Sequence, residues 1–127
     1  MARLHEYQGK AVLAKGGVAI PRGRAAATSD EARAIAQELG GPVVIKIQSW
    51  STGRAAIGGV QFADTPAQAA MHAARLLAMK IGNFPITHVL VEERLAFAHE
   101  LFVSLSIDDR ARAPVILLPS LWKPSTR

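Results

Sequence analysis

Apolar positions at Leu4, Tyr7, Ala11 and Ala14 recur every three or four residues, the period of one helix face, and Gly16-Gly17 supplies a stop. A first helix over 4–14 is expected. Ala19-Ile20-Pro21 then reads as an extended step, because proline disfavours helical backbone in the residue before it, and a short strand over 24–27 follows. Thr28-Ser29-Asp30-Glu31 has the spacing of a capping box, which starts a second helix running to Leu39. Its apolar stripe is Ala32, Ile35, Ala36 and Leu39, and Gly40-Gly41 ends it before the buried-strand run Val43-Val44-Ile45.

A second capping signature, Thr65-Pro66-Ala67-Gln68, puts proline at the first helical position and predicts a third helix to about Lys80. From Ile86 to Glu93 the chain is rich in β-branched and apolar residues, a strand ending in two adjacent carboxylates. Over 101–107, residues 101, 103, 105 and 107 share an apolar face while Ser104 and Ser106 take the other, as in a half-exposed antiparallel strand. Asp108-Asp109-Arg110 supplies the turn into a second apolar run, 114–118, so the two make a hairpin. Helices alternating with short strands predict an α/β fold with a mixed sheet and a C-terminal antiparallel hairpin. The G-x-G-x-x-G fingerprint of a Rossmann unit does not occur.

Composition narrows the function classes. The 127 residues contain no cysteine, which excludes disulfides, thiolate metal sites and cysteine nucleophiles and leaves a cytoplasmic location as the default. No apolar run approaches the roughly 20 residues of a membrane helix, so no membrane partner is expected. The net charge of +5 raises the prospect of a polyanionic partner, but the cations are scattered and lack interleaved aromatics. Lys123 and Arg127 carry two of the five charges, leaving +3 without residues 120–127, so no nucleic-acid partner is expected.

The segment with most chemical content runs from Val44 to Val60. Lys46 sits in an apolar run, where an ammonium is costly unless it meets an anion or snorkels to the strand edge. The small residues of 49–59 could let backbone N–H groups cradle a phosphate beside Arg54, or could form a flexible hairpin tip. His5, His72, His88 and His99 lack metal-ligand spacing, so packing or surface roles are expected and no metal site is. No serine–histidine–carboxylate arrangement stands out, and no catalytic residue is assigned.

Three stretches, Leu4-His5-Glu6-Tyr7-Gln8, Lys46 to Val60, and Val91-Glu92-Glu93 followed by Glu100-Leu101, together resemble the ATP-grasp domain of succinate–CoA ligase β subunits. Malate–CoA ligase and ATP-citrate lyase are similar. The resemblance covers roughly 3–118 and implies the N-terminal part of an ATP-grasp domain over 1–119, with an atypical, disordered tail over 120–127. It further implies that Lys46 contacts the phosphates of ATP or GTP, and that Gly53, Arg54 and Ala55 belong to a lid above them. Glu92, the backbone at Leu95, and Glu100 would lie along the nucleoside. Carboxylates that accept sugar hydroxyls suit that place. The loop departs from the family's usual H-A-G-G-R-G-K-A-G-G-V at Trp50, Ser51, Thr52, Ala55 and Ala56, which restricts its backbone relative to glycine.

The resemblance also implies an α-subunit partner whose histidine is phosphorylated, with carboxylic acid and CoA as later reactants. Magnesium, which phosphoryl transfer requires, is expected to be held by parts of the domain outside this chain. The basic tail at 121–127 breaks the pattern, so a truncated product, inactive alone and prone to self-association, is expected. The alternative is a non-catalytic interaction or oligomerisation module derived from the same subunit.

Overall fold

The computed structural model describes residues 3–50 and 53–118. The tail expected over 120–127 lies outside them, as do Ser51 and Thr52 of the loop. The elements in chain order are α1 (Glu6–Lys15), β1 (Gly23–Ala26), α2 (Ser29–Leu39), β2 (Val43–Ile47), β3 (Val60–Ala63), α3 (Pro66–Leu77), β4 (Lys80–Ile81), β5 (Phe84–Pro85), β6 (Val89–Glu93), β7 (Ser104–Asp108) and β8 (Ala113–Leu117). They fall into two compact units, Met1–Leu95 and Ala96–Arg127.

The first unit is built on a four-stranded sheet of order β1-β6-β2-β3. The α/β class and the C-terminal hairpin are as expected, but the mixed sheet is not. Every strand pairing among the described residues is antiparallel. The reason lies in the crossovers. β1 and β2 run in the same direction and are joined through α2, but β6 occupies the slot between them, antiparallel to both. β3 and β6 are likewise co-directional across α3, with β2 between them. Two interleaved split β-α-β units thus make a sheet without a parallel pair.

Both crossover helices cover the same face. Thr28 and Thr65 cap them, each side-chain oxygen accepting from the backbone N–H three residues on, at 3.1 and 3.2 Å. The reciprocal carboxylate and amide bonds reach one residue further back than the standard box, from Ala27 N–H to Glu31 and from Asp64 N–H to Gln68. Alanines at 32 and 36 on α2 and at 69 and 73 on α3 are buried, and small side chains there let helices and sheet approach closely. Ile35, Leu76, Val43, Ile45, Ile47, Val89 and Val91 fill the layer between. The stripe read from the sequence on α2 is therefore the core face, with Leu39 at its margin.

Three expectations changed. α3 ends at Leu77, and Lys80-Ile81 instead pairs with Phe84-Pro85 in a two-stranded ribbon turned at Gly82, so the helix does not reach Lys80. Val60–Ala63 is a strand, formed because it pairs with β2 over the register Val43↔Ala63 to Lys46↔Val60. All ten residues of α1 are described and none is buried. Its apolar period therefore does not mark a core face, and Leu4, Val12 and Leu13 are exposed.

In the second unit, β7 pairs with β8 over Ser104↔Leu117 to Asp108↔Ala113, a register shifted from the expected 101–107 strand. Asp108 closes the turn, its Oδ1 accepting from the backbone N–H groups of Arg110 at 2.9 Å and Ala111 at 3.0 Å. Arg112 completes it in the left-handed region at φ 51°.

Gly23 stands opposite Glu92 in the β1–β6 ladder at φ 154°. A Cβ there would come within 2.3 Å of the Val91 carbonyl oxygen and 2.6 Å of Glu92 Cβ. Gly23→Ala is therefore expected to lower unfolding stability by about 2–3 kcal/mol in urea titration, the usual scale for overpacking. Gly41→Ala, where an added Cβ meets nothing within 4 Å, serves as the matched control and should leave the midpoint unchanged or slightly raised.

Candidate functional site

The sheet face away from α2 and α3 carries the chemistry. Alternation along β2 sends Val43, Ile45 and Ile47 into the core and Lys46 to the opposite side. In the β2–β6 register Lys46 stands opposite Leu90 and Val44 opposite Glu92, so Lys46 and Glu92 share that face on neighbouring strands. The Lys46 Nζ donates to Glu92 Oε1 at 2.6 Å and to Glu6 Oε1 of α1 at 3.1 Å. The anion that makes a lysine tenable in this strand is thus a pair of carboxylates, and neither free snorkelling nor a phosphate is needed to explain it.

Two further cations complete the cluster. Lys10, one turn after Glu6 on α1, lies 3.2 Å from Glu6 Oε1 and donates to Glu92 Oε2. Arg54 donates to Glu6 Oε2 at 2.7 Å and to the Ile47 carbonyl at 3.0 Å. Three cations therefore surround two carboxylates, and the cluster keeps one positive charge. The Glu92 side chain is only 4 % exposed, so its oxygens are satisfied by Lys46 and Lys10 in place of bulk water.

The electrostatics follow the geometry. Burial would raise the Glu6 pKa, but the Lys46 ammonium, hydrogen bonds from Lys46 and Arg54, and the Lys10 charge together hold it at about 2. Burial would lower the Lys46 pKa, but the hydrogen bond to Glu92 and the charges of Glu6 and Glu92 raise it above the ordinary ammonium value. Both groups are ionised throughout the physiological range.

The loop after β2 is a run of turns. Ala56 N–H donates to the Gly53 carbonyl, Gly58 N–H to Ala55 and Gly59 N–H to Arg54, at 3.0, 3.1 and 2.8 Å. Those three N–H groups are spent within the loop, so they do not form the open cradle read from the small residues. Gly53 and Gly58 take φ of 73° and 74°. A Cβ on Gly59 would meet Ile47 Cδ1 at 2.5 Å and the Arg54 carbonyl at 2.9 Å, so glycine is what lets the loop close on β2 and place Arg54. Trp50, at the loop entrance, stacks on His5 with centroids 4.9 Å apart and planes 13° apart. His5 continues to Tyr7 at 6.0 Å, and Tyr7 to His88 at 6.1 Å.

The structure brings Lys46, Arg54 and Glu92 together, with Gly53 and Ala55 in the turns flanking Arg54. Leu95 is the last residue of the first unit and is exposed. Glu100 belongs to the second unit, in the irregular segment before β7, not on an alternating strand. Sequence reasoning missed Glu6 and Lys10 as site residues. Their signal was present as an oppositely charged pair four residues apart on a predicted helix.

With this geometry in place, comparison with known proteins is informative. Residues 3–120 match the ATP-grasp domain. The chain belongs to the ATP-grasp family. It is 40 % identical over 118 residues to the ADP-forming succinate–CoA ligase β subunit of a Roseiflexus species, covering 93 % of the chain and 31 % of that protein. It is 44 % identical over 117 residues to the GDP-forming succinate–CoA ligase β subunit of Thermus thermophilus, covering 92 % and 31 %. The chain thus spans about a third of the length of these relatives, corresponding to their N-terminal part. A dinucleotide-forming acetyl-coenzyme A synthetase from Candidatus Korarchaeum cryptofilum, solved in complex with coenzyme A and Ca-AMPCP, has the same fold. Its TM-score is 0.79 at 24 % identity, over 89 % of this chain and 51 % of that one.

The cluster sets three cations against two carboxylates, an excess that favours an anionic ligand. It does not suit magnesium. Among the described residues no group of three or more histidine, aspartate or glutamate side chains could hold a metal ion, and Glu6 and Glu92 are already taken by cations.

Because the folded Glu6 pKa lies near 2 and the ordinary carboxylate value is 4.5, its contribution to stability is full above about pH 4.5 and is lost as pH falls towards 2. Glu6→Gln is expected to lower the urea midpoint at pH 7 and to flatten the decline between pH 4.5 and 2.5. An unchanged acid slope in the variant would show that these ion pairs contribute nothing.

Proposed function

We propose that this chain is the nucleotide-clamping portion of an ADP-forming acyl-CoA synthetase β subunit of the succinate–CoA ligase type. It binds ATP or GTP so that a histidine of an α subunit can be phosphorylated. The observation that carries this is the convergence of Lys46, Arg54 and Lys10 at one place on the open sheet face. A triphosphate is the ligand class with enough anionic oxygens to engage all three cations, since charge-assisted bonds from arginine and lysine are the strong ones. The likeness to β subunits at 40 % identity and above supports the same reading.

Under this proposal Lys46 and Arg54 contact phosphate oxygens, and Gly53 and Ala55 set the path of the loop that carries Arg54. Glu92 and the Leu95 backbone line the nucleoside. Magnesium arrives with the nucleotide and is held by protein groups beyond this chain, which supplies the clamp and not the whole reaction. An α subunit is the partner, and the cytoplasm the compartment. Among the described residues no helix is long and apolar enough to cross a membrane.

Thermal denaturation with and without Mg-ATP or Mg-GTP tests the proposal. Saturation at about 100 times Kd should add roughly 2.7 kcal/mol of stability, read as a rise of several degrees in Tm. Lys46→Ala, compared with its own unliganded baseline, should lose that rise. No shift with either nucleotide, together with a concentration-dependent oligomer, would favour an interaction module derived from the same subunit.

A further inference from the structure

The two carboxylates of the cluster are not equivalent. Glu92 projects from a central strand and its side chain is 4 % exposed, so it is fixed by the ladder on both sides. Glu6 lies in the first turn of α1, a helix with no buried residue. What ties that turn to the sheet is polar or aromatic. Glu6 meets Lys46 and Arg54, Lys10 meets Glu92, the Tyr7 N–H donates to Gln48 Oε1 at 3.2 Å, and His5 stacks on Trp50. Loosening α1 would leave the core between the sheet, α2 and α3 intact.

The contacts of Glu6 also resemble those of a phosphate. One oxygen faces Lys46 at 3.1 Å and Lys10 at 3.2 Å, and the other faces Arg54 at 2.7 Å. Among the described residues Arg54 donates to Glu6 and to the Ile47 carbonyl. A phosphate oxygen that bonded both Lys46 and Arg54 would occupy the place of the Glu6 carboxylate, and two anions cannot share it without strong repulsion.

We propose that Glu6 is an internal competitor for the nucleotide. It holds Lys46 and Arg54 in the nucleotide-free chain, and a triphosphate binds by taking those cations from it, releasing the first turn of α1 from the sheet. This rests on the nucleotide-binding function proposed above. The helix is thereby a negative determinant of affinity, and Glu92 keeps Lys46 aligned while the exchange takes place.

Calorimetric titration of the full chain and of Glu6→Gln with Mg-ATP tests the exchange, since glutamine keeps the size but removes the charge and turns one acceptor oxygen into an NH2 donor. The variant should bind about tenfold more tightly, or bind measurably where the native chain does not. Affinity equal to or below that of the native chain overturns the inference. If native binding is at the same time lost in Lys46→Ala, the nucleotide-binding function survives that result. Binding by neither protein overturns both. Should Glu6→Gln fail to fold, hydrogen exchange of the native chain decides. Faster exchange of the α1 amides on adding Mg-ATP, with β2 and β6 slowed, supports displacement, and slower exchange in α1 overturns it.

Discussion

The first unit depends on a carboxylate that is buried in the open face of its own sheet. Glu92 occupies a central strand position at which an apolar residue would be the ordinary choice, and its carboxylate oxygens accept there from Lys46 and Lys10 on two sides. Removing one partner of such a group leaves an uncompensated buried charge, which is far more costly than the net worth of the pair. Much else in the unit can be understood as serving it. Gly23 clears the neighbouring strand, β6 sits between β1 and β2, and α1 brings Lys10 and Glu6 across the face.

This arrangement divides the sheet into two sides with different physics. On one side, aliphatic residues and helix alanines are packed at close range and hold the fold by burial. On the other, α1 is held by ion pairs, one long hydrogen bond and a short row of stacked rings. Contacts of the second kind weaken with salt and can be exchanged for those of a charged ligand, whereas contacts of the first kind cannot. A binding face built in this way can change partners without unfolding the layer beneath it.

The loop from Trp50 to Gly59 joins the two sides. The N–H groups of Ala56, Gly58 and Gly59 are consumed in its turns, and Gly59 lets it fold against Ile47, so among its described residues Arg54 is what it brings to the charge cluster. Trp50 stacks on His5. That stack ties the loop entrance to the N-terminal end of α1.

Local signals determined a good deal of this protein. The threonine caps at 28 and 65, the alanine and isoleucine stripe of α2, the apolar run of β2 and the Asp108 turn were legible because each depends on residues close in the chain. The same holds for the expectation that Lys46 needs an anion. What only the tertiary structure decided was non-local. The placement of β6 between β1 and β2 made every pairing antiparallel, since strand order is set by crossovers and not by periodicity. The identity of the anion, Glu92 and Glu6, and the recruitment of Lys10 and Arg54 depended on contacts spanning 40 to 82 residues. A helix whose apolar spacing suggested a core face proved to be held by charge, because its partner surface was not an apolar layer but the polar side of a sheet.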